Sequence, residues 1–123
     1  MILADTSVWV DHLRAGDGAL AARLDAGMVL AHPMVIGELA LGNLRQRGIV
    51  LRSLADLPAA TVATDAEVLH FIDRHALHGR GIGWVDAHLL AAARLTDGAE
   101  LWTRDRRLHV LAVQLDLAQL SNP

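Results

Sequence analysis

The sequence predicts an α/β fold in which helices cover both faces of a mainly parallel sheet. Short apolar runs that can form strands alternate with longer stretches that have the three- and four-residue spacing of amphipathic helices. The composition is 53% hydrophobic, which is high for 123 residues and indicates a sheet buried on both faces or apolar surface kept for a partner. Strands that alternate with helices run parallel and are joined by right-handed crossovers.

The first half of the chain contains two predicted strands, each followed by helices. Residues 2–4 form an apolar strand that ends at Asp5, and a helix follows through residue 13, with Thr6 and Ser7 as possible N-caps. Asp17 can cap a helix over residues 17–24, and residues 28–31 form the second strand. Pro33 suits the first position of a helix over residues 33–43, and a further helix covers about residues 44–55. The third of these helices is apolar or small almost all round, so we expect Glu38 to be carried into the interior.

The second half repeats the alternation. Residues 60–63 can form a short strand, and Thr64 with Glu67 makes a capping box for a helix over residues 65–77. A glycine-containing connector leads into a helix that carries Asp86 in its first turn. Residues 100–103 form a strand, a last helix runs through about residue 113, and residues 116–118 can add an edge strand. We therefore expect residues 1–123 to form one domain.

Composition and charge exclude several classes of function. All eleven basic residues are Arg, so lysine-based chemistry, including a Schiff base and a phosphate-loop lysine, is excluded. The absence of Cys excludes disulfides and thiolate zinc sites. No apolar run approaches the ~18 residues of a membrane span, and the start lacks the basic region of a signal peptide. A cytoplasmic protein without a membrane association is the expectation.

Four of the fourteen acidic residues are placed differently from the rest. Asp5 and Asp105 follow predicted strands, so both fall at the carboxyl edge of the sheet, where open α/β sheets bind ligands. Glu38 and Asp86 lie on helices predicted to be buried, and an unpaired buried carboxylate is costly. For Asp86 alone, an interaction with the helix dipole is an equally good explanation.

Four carboxylates in one site repel each other unless a cation is present. Carboxylate oxygens are hard ligands and favour Mg²⁺ or Mn²⁺, which keep several waters and accept phosphate oxygens. Such a centre matches phosphodiester hydrolysis, because it polarises a phosphoryl group and activates water. An aspartyl phosphatase is excluded, since Ser7 occupies the place of its second acid, and a receiver-type phospho-switch is excluded by the lack of Lys.

The sequence around these acids resembles the four acidic motifs of PIN-domain ribonucleases, and most closely the VapC toxins of type II toxin–antitoxin systems. The resemblance spans essentially the whole chain. The four segments that carry it are LADTSVW at residues 3–9, IGEL at 36–39, VDAHLLAAA at 85–93 and LWTRD at 101–105.

This resemblance implies a three-layer α/β/α PIN-like fold and an Mg²⁺- or Mn²⁺-dependent endoribonuclease. It also implies a homodimer that a cognate VapB-type antitoxin holds inactive. Carried over by position, the metal-binding and catalytic acids are Asp5, Glu38, Asp86 and Asp105. Thr6 and Thr103 match the hydroxyl positions beside the first and fourth acids, where they would orient a carboxylate or a water, although each also has an ordinary structural explanation.

Several residues keep two interpretations at this stage. Trp84 departs from the family pattern and can either stack on an RNA base or pack against the protein. Arg104, Arg106 and Arg107 can grip RNA phosphates or form a solvated helix start, and Arg80 is a weaker candidate. For the whole chain, the alternatives are a catalytically silent PIN-like module that binds RNA or protein, and an RNA-processing PIN nuclease without an antitoxin.

Overall fold

The computed structural model describes residues 1–119, and a three-stranded parallel sheet forms its centre. The strands are β1 (Ile2–Ala4), β2 (Val29–Leu30) and β3 (Glu100–Trp102), in the order β2-β1-β3. Ile2 is paired with Val29 on one side and with Glu100 on the other. The central strand β1 is buried along its whole length, as expected for a strand with neighbours and covering helices on both sides.

Within the described residues, seven helices surround this sheet. They are α1 (Thr6–Ala15), α2 (Gly18–Asp25), α3 (Pro33–Ala40), α4 (Arg47–Ala55), α5 (Asp65–Arg74), α6 (Trp84–Leu95) and α7 (Arg106–Gln114). The arrangement is the three-layer α/β/α fold that the sequence predicts. None of these helices is both long and apolar enough to span a lipid bilayer.

Helix α6 forms the centre of the core. Its residues from Ala87 to Ala93 are all buried, and Leu89 and Leu90 are almost completely inaccessible. A helix that is apolar on every side is stable only when neighbours cover all of its faces. Its N-terminal turn nevertheless reaches the carboxyl edge of the sheet, so the most buried helix also carries a candidate site residue, Asp86.

The predicted boundaries differ from the structure mainly where strands are short. Residues 60–63 do not form a strand; a single parallel bridge joins Ala59 to Ala31 instead. The predicted edge strand at residues 116–118 is also a single bridge, from Ala118 to Leu101. Helix α3 ends at Ala40 rather than Asn43, because a bend and a turn at residues 41–46 separate it from α4.

Candidate active site

Three of the four candidate acids stand at helix N-termini. Asp5 follows β1 and caps α1, accepting hydrogen bonds from the backbone N–H groups of Ser7 at 2.8 Å and Val8 at 3.4 Å. Asp105 follows β3 and caps α7 through the N–H of Leu108 at 3.0 Å. The N–H groups and the dipole of a helix N-terminus favour negative charge. The backbone therefore holds these carboxylates in place before any ligand binds.

Asp86 is held in the same way at the N-terminus of α6. Its Oδ2 accepts a hydrogen bond from the N–H of Gly83, the N-cap of α6, at 3.1 Å. The helix-dipole explanation for Asp86 is thus compatible with a place in the site, because capping uses only one of its two oxygens. The N-cap of α1 is Asp5, so the alternative that Thr6 or Ser7 caps this helix is wrong.

Two hydroxyl groups link the corner after β1 to the corner after β3. Thr103 donates to Asp5 Oδ2 at 2.5 Å and accepts from the N–H of Asp105 at 3.0 Å. Ser7 donates to Asp5 Oδ1 and accepts from the N–H of Arg104 at 3.0 Å. Asp5 is only 5% exposed, so these bonds satisfy a buried charge and fix the orientation of its carboxylate.

Glu38 does not lie in the interior, and the prediction that it does is wrong. Helix α3 buries only Val35 and Leu39 completely, while Gly37 and Glu38 face outward. The apolar composition of α3 suggested burial on all sides, but the helix covers the core with one face only. The Glu38 carboxylate is nonetheless tied to the site, because Thr6 Oγ1 donates to its Oε1 at 2.5 Å.

The other three candidate acids affect the pKa of Asp86. Burial raises the pKa of Asp86 above its ordinary value of 3.8, the hydrogen bond from Gly83 opposes this rise, and the negative charges of Asp5, Asp105 and Glu38 raise it further. Asp86 therefore lies within electrostatic range of Asp5, Asp105 and Glu38, which come from three other segments of the chain.

The chemistry of these donors fits a hard divalent cation. Asp86 Oδ1, Asp105 Oδ2 and Glu38 Oε2 accept no hydrogen bond from residues 1–119, so each acid offers an oxygen to a ligand. As the side chains stand, no three acidic, His or Cys side chains within this range lie close enough together to enclose an ion. Glu38 and Asp105 are exposed, so their free carboxylate oxygens are accessible to a cation from solvent.

The arginine candidates are placed differently from one another. Arg104 pairs with Asp11 at 3.0 Å and with Asp17, and its guanidinium lies 5.7 Å from the Trp102 ring centre. Arg106 is exposed and makes no hydrogen bond or ion pair with another described residue. Its availability to a phosphate is therefore greater than that of Arg104.

Residues 79–83 form the connector that precedes α6, and the other two arginine candidates lie in it or against it. Arg107 packs against Gly81 of this connector, and Arg80 in the connector itself donates to Gln114 Oε1 at 3.2 Å. Both side chains are exposed. Arg107 lies in the first turn of α7, next to its N-cap Asp105, whereas Arg80 contacts the last residue of that helix, at the opposite end.

Trp84 stands at the start of α6 and is 41% exposed. Its ring meets the buried His88 ring edge to face, with centroids 4.8 Å apart. One side of Trp84 thus packs against the protein, while the rest of the ring remains accessible to a stacking base. Trp102 is buried in the core.

A buried histidine pair adjoins the site, and its pairing was not predicted. His88 Nε2 lies 3.1 Å from Asp65 Oδ1, and His32 Nδ1 accepts the N–H of Met34 at 3.1 Å. These bonds assign His32 Nε2 as a donor and His88 Nδ1 as an acceptor in the neutral rings. The two rings are 6.2 Å apart, and these two nitrogens have no hydrogen-bond partner among residues 1–119.

Ser7 is the site residue that the sequence analysis assigned no role beyond capping. It bonds the Asp5 carboxylate and the backbone after β3 at the same time. The available signal was the position of Ser7, two residues after Asp5 at the end of the first strand. In the sequence, this position only excluded an aspartyl phosphatase, because Ser7 stands where such an enzyme has its second acid.

Comparisons with known proteins agree with this architecture. Residues 2–114 match the family model described as PIN domain. The chain is 49% identical over 118 residues to "Ribonuclease VapC32" of Mycobacterium tuberculosis, from strains CDC 1551 / Oshkosh and H37Rv, covering 96% of this chain and 95% of that protein. On this evidence of sequence and fold, the chain belongs to the PIN-domain family and, within it, to the VapC proteins.

Proposed function

We propose that this protein is a metal-dependent endoribonuclease and the toxic component of a type II toxin–antitoxin module. The observation that carries the proposal is the hydroxyl network at the carboxyl edge of the sheet, in which Thr103 joins Asp5 to the backbone of Asp105 and Thr6 holds Glu38. The ribonuclease named among its relatives, at 49% identity, supports the choice of RNA as the substrate. The reaction is hydrolysis of a phosphodiester bond inside an RNA chain.

In this proposal the four acids hold Mg²⁺, with Mn²⁺ as a substitute. When bound, the divalent ion would offset the negative charge of the phosphodiester group and would make a water molecule a better nucleophile. Asp5 is the most firmly oriented ligand, because Ser7 and Thr103 hold both of its oxygens. Thr6 keeps Glu38 turned toward α1, so that an exposed side chain does not have to be ordered at the moment of binding.

Arginine side chains are the proposed contacts to the RNA backbone. Arg106 is available without breaking an existing pair, whereas Arg104 must exchange Asp11 or Asp17 for a phosphate. Arg107 borders the connector before α6, and the exposed face of Trp84 can stack on a base. Because the net charge of −3 repels RNA as a whole, a local rim of arginine side chains is needed to attract the RNA backbone.

The proposed protein partners are a cognate VapB-type antitoxin and a second copy of this chain. Large apolar side chains remain exposed on several helices and on the turn after α3, among them Leu41 of that turn at 91%, Leu69 at 56% and Ile49 at 55%. Such side chains favour contact with other proteins. We propose the cytoplasm as the location, and a dimer would have about twice the 13.2 kDa mass of one chain by light scattering.

Cleavage of RNA by the purified protein tests the enzymatic proposal. With Mg²⁺, the wild type should cut single-stranded RNA, and a chelator should abolish the cutting until Mg²⁺ or Mn²⁺ is restored. Asp5→Asn should bind the metal weakly and lose cleavage, while a circular dichroism spectrum like that of the wild type shows that it folds. Cleavage that continues undiminished without any divalent ion would disprove the mechanism, and RNA binding without cutting would favour the silent module.

A further inference from the structure

A second cavity adjoins the proposed metal site and shares Glu38 with it. This α1–α4 cleft has a volume of about 700 Å³ and is lined by Val10, Leu13 and Arg14 on α1, by Asn43, Arg45 and Gln46 in the loop before α4, and by Glu38. Its volume lies within the range of about 300–1,000 Å³ that is usual for ligand pockets. Among the residues that line this cleft, only Glu38 belongs to the proposed metal site.

One face of α1 connects the cleft to the site. Thr6 holds Glu38, and Val10, Leu13 and Arg14 follow at spacings of four, seven and eight residues, which keeps them on the same side of the helix. At 1.5 Å per residue, Arg14 lies about 12 Å along the helix from Thr6. A polymer whose phosphate reaches Glu38 therefore has an apolar path along α1 that ends at a cation.

The opposite wall is a preformed loop with unused polar side chains. Arg47 donates from Nε and Nη2 to the carbonyl of Ala40 at 3.3 and 3.0 Å, which ties the two ends of the loop together. Gln46 adopts a left-handed backbone conformation with φ of 51°, and its side chain does not cap α4. The side chains of Asn43 and Gln46 make no hydrogen bond with residues 1–119, so both amides can bond a ligand.

We propose that the α1–α4 cleft is a nucleotide-binding subsite that holds one unpaired base of the RNA next to the scissile phosphate and determines base preference. The inference rests on the proposed ribonuclease function. An unpaired base needs apolar surface for its ring and hydrogen bonds for its edge, which Val10, Leu13, Asn43 and Gln46 supply. Arg14 and Arg45 suit the flanking phosphates.

An RNA nucleotide fits this cleft better than a peptide does. Two arginines at its rim complement phosphate charge, and the cleft is lined in part by Glu38, one of the four proposed metal-binding acids. Asn and Gln amides present a donor and an acceptor together, which allows them to bond a base edge bidentately. A docked peptide would use the same apolar floor and amides, but an uncharged peptide would leave Arg14 and Arg45 without the phosphate charge that they complement.

The test uses a single-stranded RNA pool with a randomised stretch, cut by the full-length protein with Mg²⁺ and sequenced at the cleavage ends. The wild type should show a base preference of about five- to hundredfold at one position beside the cut, the range expected for one bidentate contact. The double variant Asn43→Ala/Gln46→Ala should flatten that preference to below about twofold, because the contacts that discriminate between bases are gone.

Arginine variants give a second readout that a purely structural role would not change. Arg14→Ala and Arg45→Ala should raise KM and make it less dependent on salt, because each removes about one phosphate contact. Arg74→Ala is the matched control: this exposed arginine lies on α5, in a groove lined by Phe71 and Leu95 rather than in the cleft. It should leave both the profile and the salt dependence as in the wild type.

The outcomes separate the two proposals. A wild-type protein that leaves the pool uncut overturns the ribonuclease proposal, and the subsite falls with it. If the wild type cuts and the Asn43→Ala/Gln46→Ala variant keeps the same base profile, the subsite is overturned while the nuclease remains. Variants with an unchanged profile that no longer bind the antitoxin would assign the cleft to a protein partner, which also overturns the subsite.

Discussion

At the scale of single residues, the hydroxyl of Thr6 distinguishes Glu38 from an ordinary surface carboxylate. Glu38 is exposed, and an exposed Glu samples many rotamers unless a partner holds it. The bond from Thr6 Oγ1 to Glu38 Oε1 supplies that partner across two helices. Organisation of the site therefore depends on side chains that carry no charge.

The substitution Thr6→Val tests this dependence. Loss of the hydroxyl should reduce cleavage about 10- to 100-fold, as is usual when a ligand loses the group that orients it. Because the bond is exposed, the unfolding free energy should change by less than about 1 kcal/mol. Steady-state kinetics and thermal melts measure the two effects, and Thr6→Ser, which keeps the hydroxyl, should retain most activity. Equal activity of the two variants would contradict the assigned role.

Asp86 should show the opposite balance between stability and activity. Its pKa is raised, so the ionised form destabilises the fold, and Asp86→Asn should melt a few degrees higher without divalent metal while losing cleavage. The folded state holds this proton more tightly than the unfolded state, so wild-type stability relative to the variant falls as pH rises through the raised pKa. Well below 3.8 the difference should vanish. Melts of both proteins across pH check this, and a variant less stable than the wild type at pH 7 would contradict it.

At the scale of secondary-structure elements, the site is made by the N-termini of α1, α6 and α7. Parallel strands bring their carboxyl ends to one edge, and Asp5 and Asp105 follow two neighbouring strands, β1 and β3. Each of these helix N-termini donates backbone N–H groups to one acid. The helix N-termini thus lower the cost of assembling negative charge before a cation binds.

The start of α3 carries a pH-dependent part of the stability. His32 caps this helix while completely buried, and burial, together with the positive charge of His88 when protonated, lowers the pKa of His32 from 6.5 to about 4. The unfolded chain binds this proton more readily than the folded one. Stability is therefore present above about pH 6.5 and is lost as pH falls toward 4.

The expected slope is at most about 1.4 kcal/mol per pH unit for this one proton. Urea denaturation of the wild type between pH 4 and 6.5 measures it, and His32→Asn, which keeps a capping side chain, should show a shallower slope despite lower overall stability. His70→Asn, on the exposed face of α5, is the matched control. A slope that is the same in His32→Asn and in the wild type would assign the acid sensitivity to other groups.

The connector before α6 requires glycine at one position. Gly81 has φ of +84°, and an added Cβ would lie 2.7 Å from Cδ of Arg107. Gly81→Ala should destabilise the protein by about 1–3 kcal/mol, mostly from the backbone conformation, because the end of an arginine side chain can move. A double-mutant cycle with Arg107→Ala measures the steric part, which should be less than half of the total. Complete recovery in the double variant would show that the clash is the whole cost.

At the scale of the whole molecule, ligand binding should stabilise the entire fold. The acids come from segments spread over residues 5 to 105, so a bound cation joins the corners after β1 and β3 to α3 and α6. Mg²⁺ or Mn²⁺ at 100 times its dissociation constant should add about 2.7 kcal/mol to the unfolding free energy. Thermal melts with and without chelator measure the shift, and Asp5→Asn/Asp86→Asn should show almost none. Equal shifts in both proteins would place the metal elsewhere.

The amino-acid sequence by itself determined the alternation of strands and helices, the parallel sheet and the positions of Asp5 and Asp105 at its edge. Each of these follows from local pattern: apolar periodicity, the Thr64–Glu67 capping box, and acids placed directly after strands. The predicted buried position of Glu38 and the predicted strand at residues 60–63 were wrong for a shared reason. How much of an apolar segment is covered depends on its neighbours.

Only the tertiary structure decided how these residues meet. Hydrogen bonds join segments far apart in the chain, from Thr6 to Glu38 and from Thr103 to Asp5. The pKa of Asp86 is likewise raised by acids from distant segments. Such contacts depend on the packing of whole elements, which local patterns do not encode. The α1–α4 cleft likewise exists only because the loop between α3 and α4 stands opposite one face of α1.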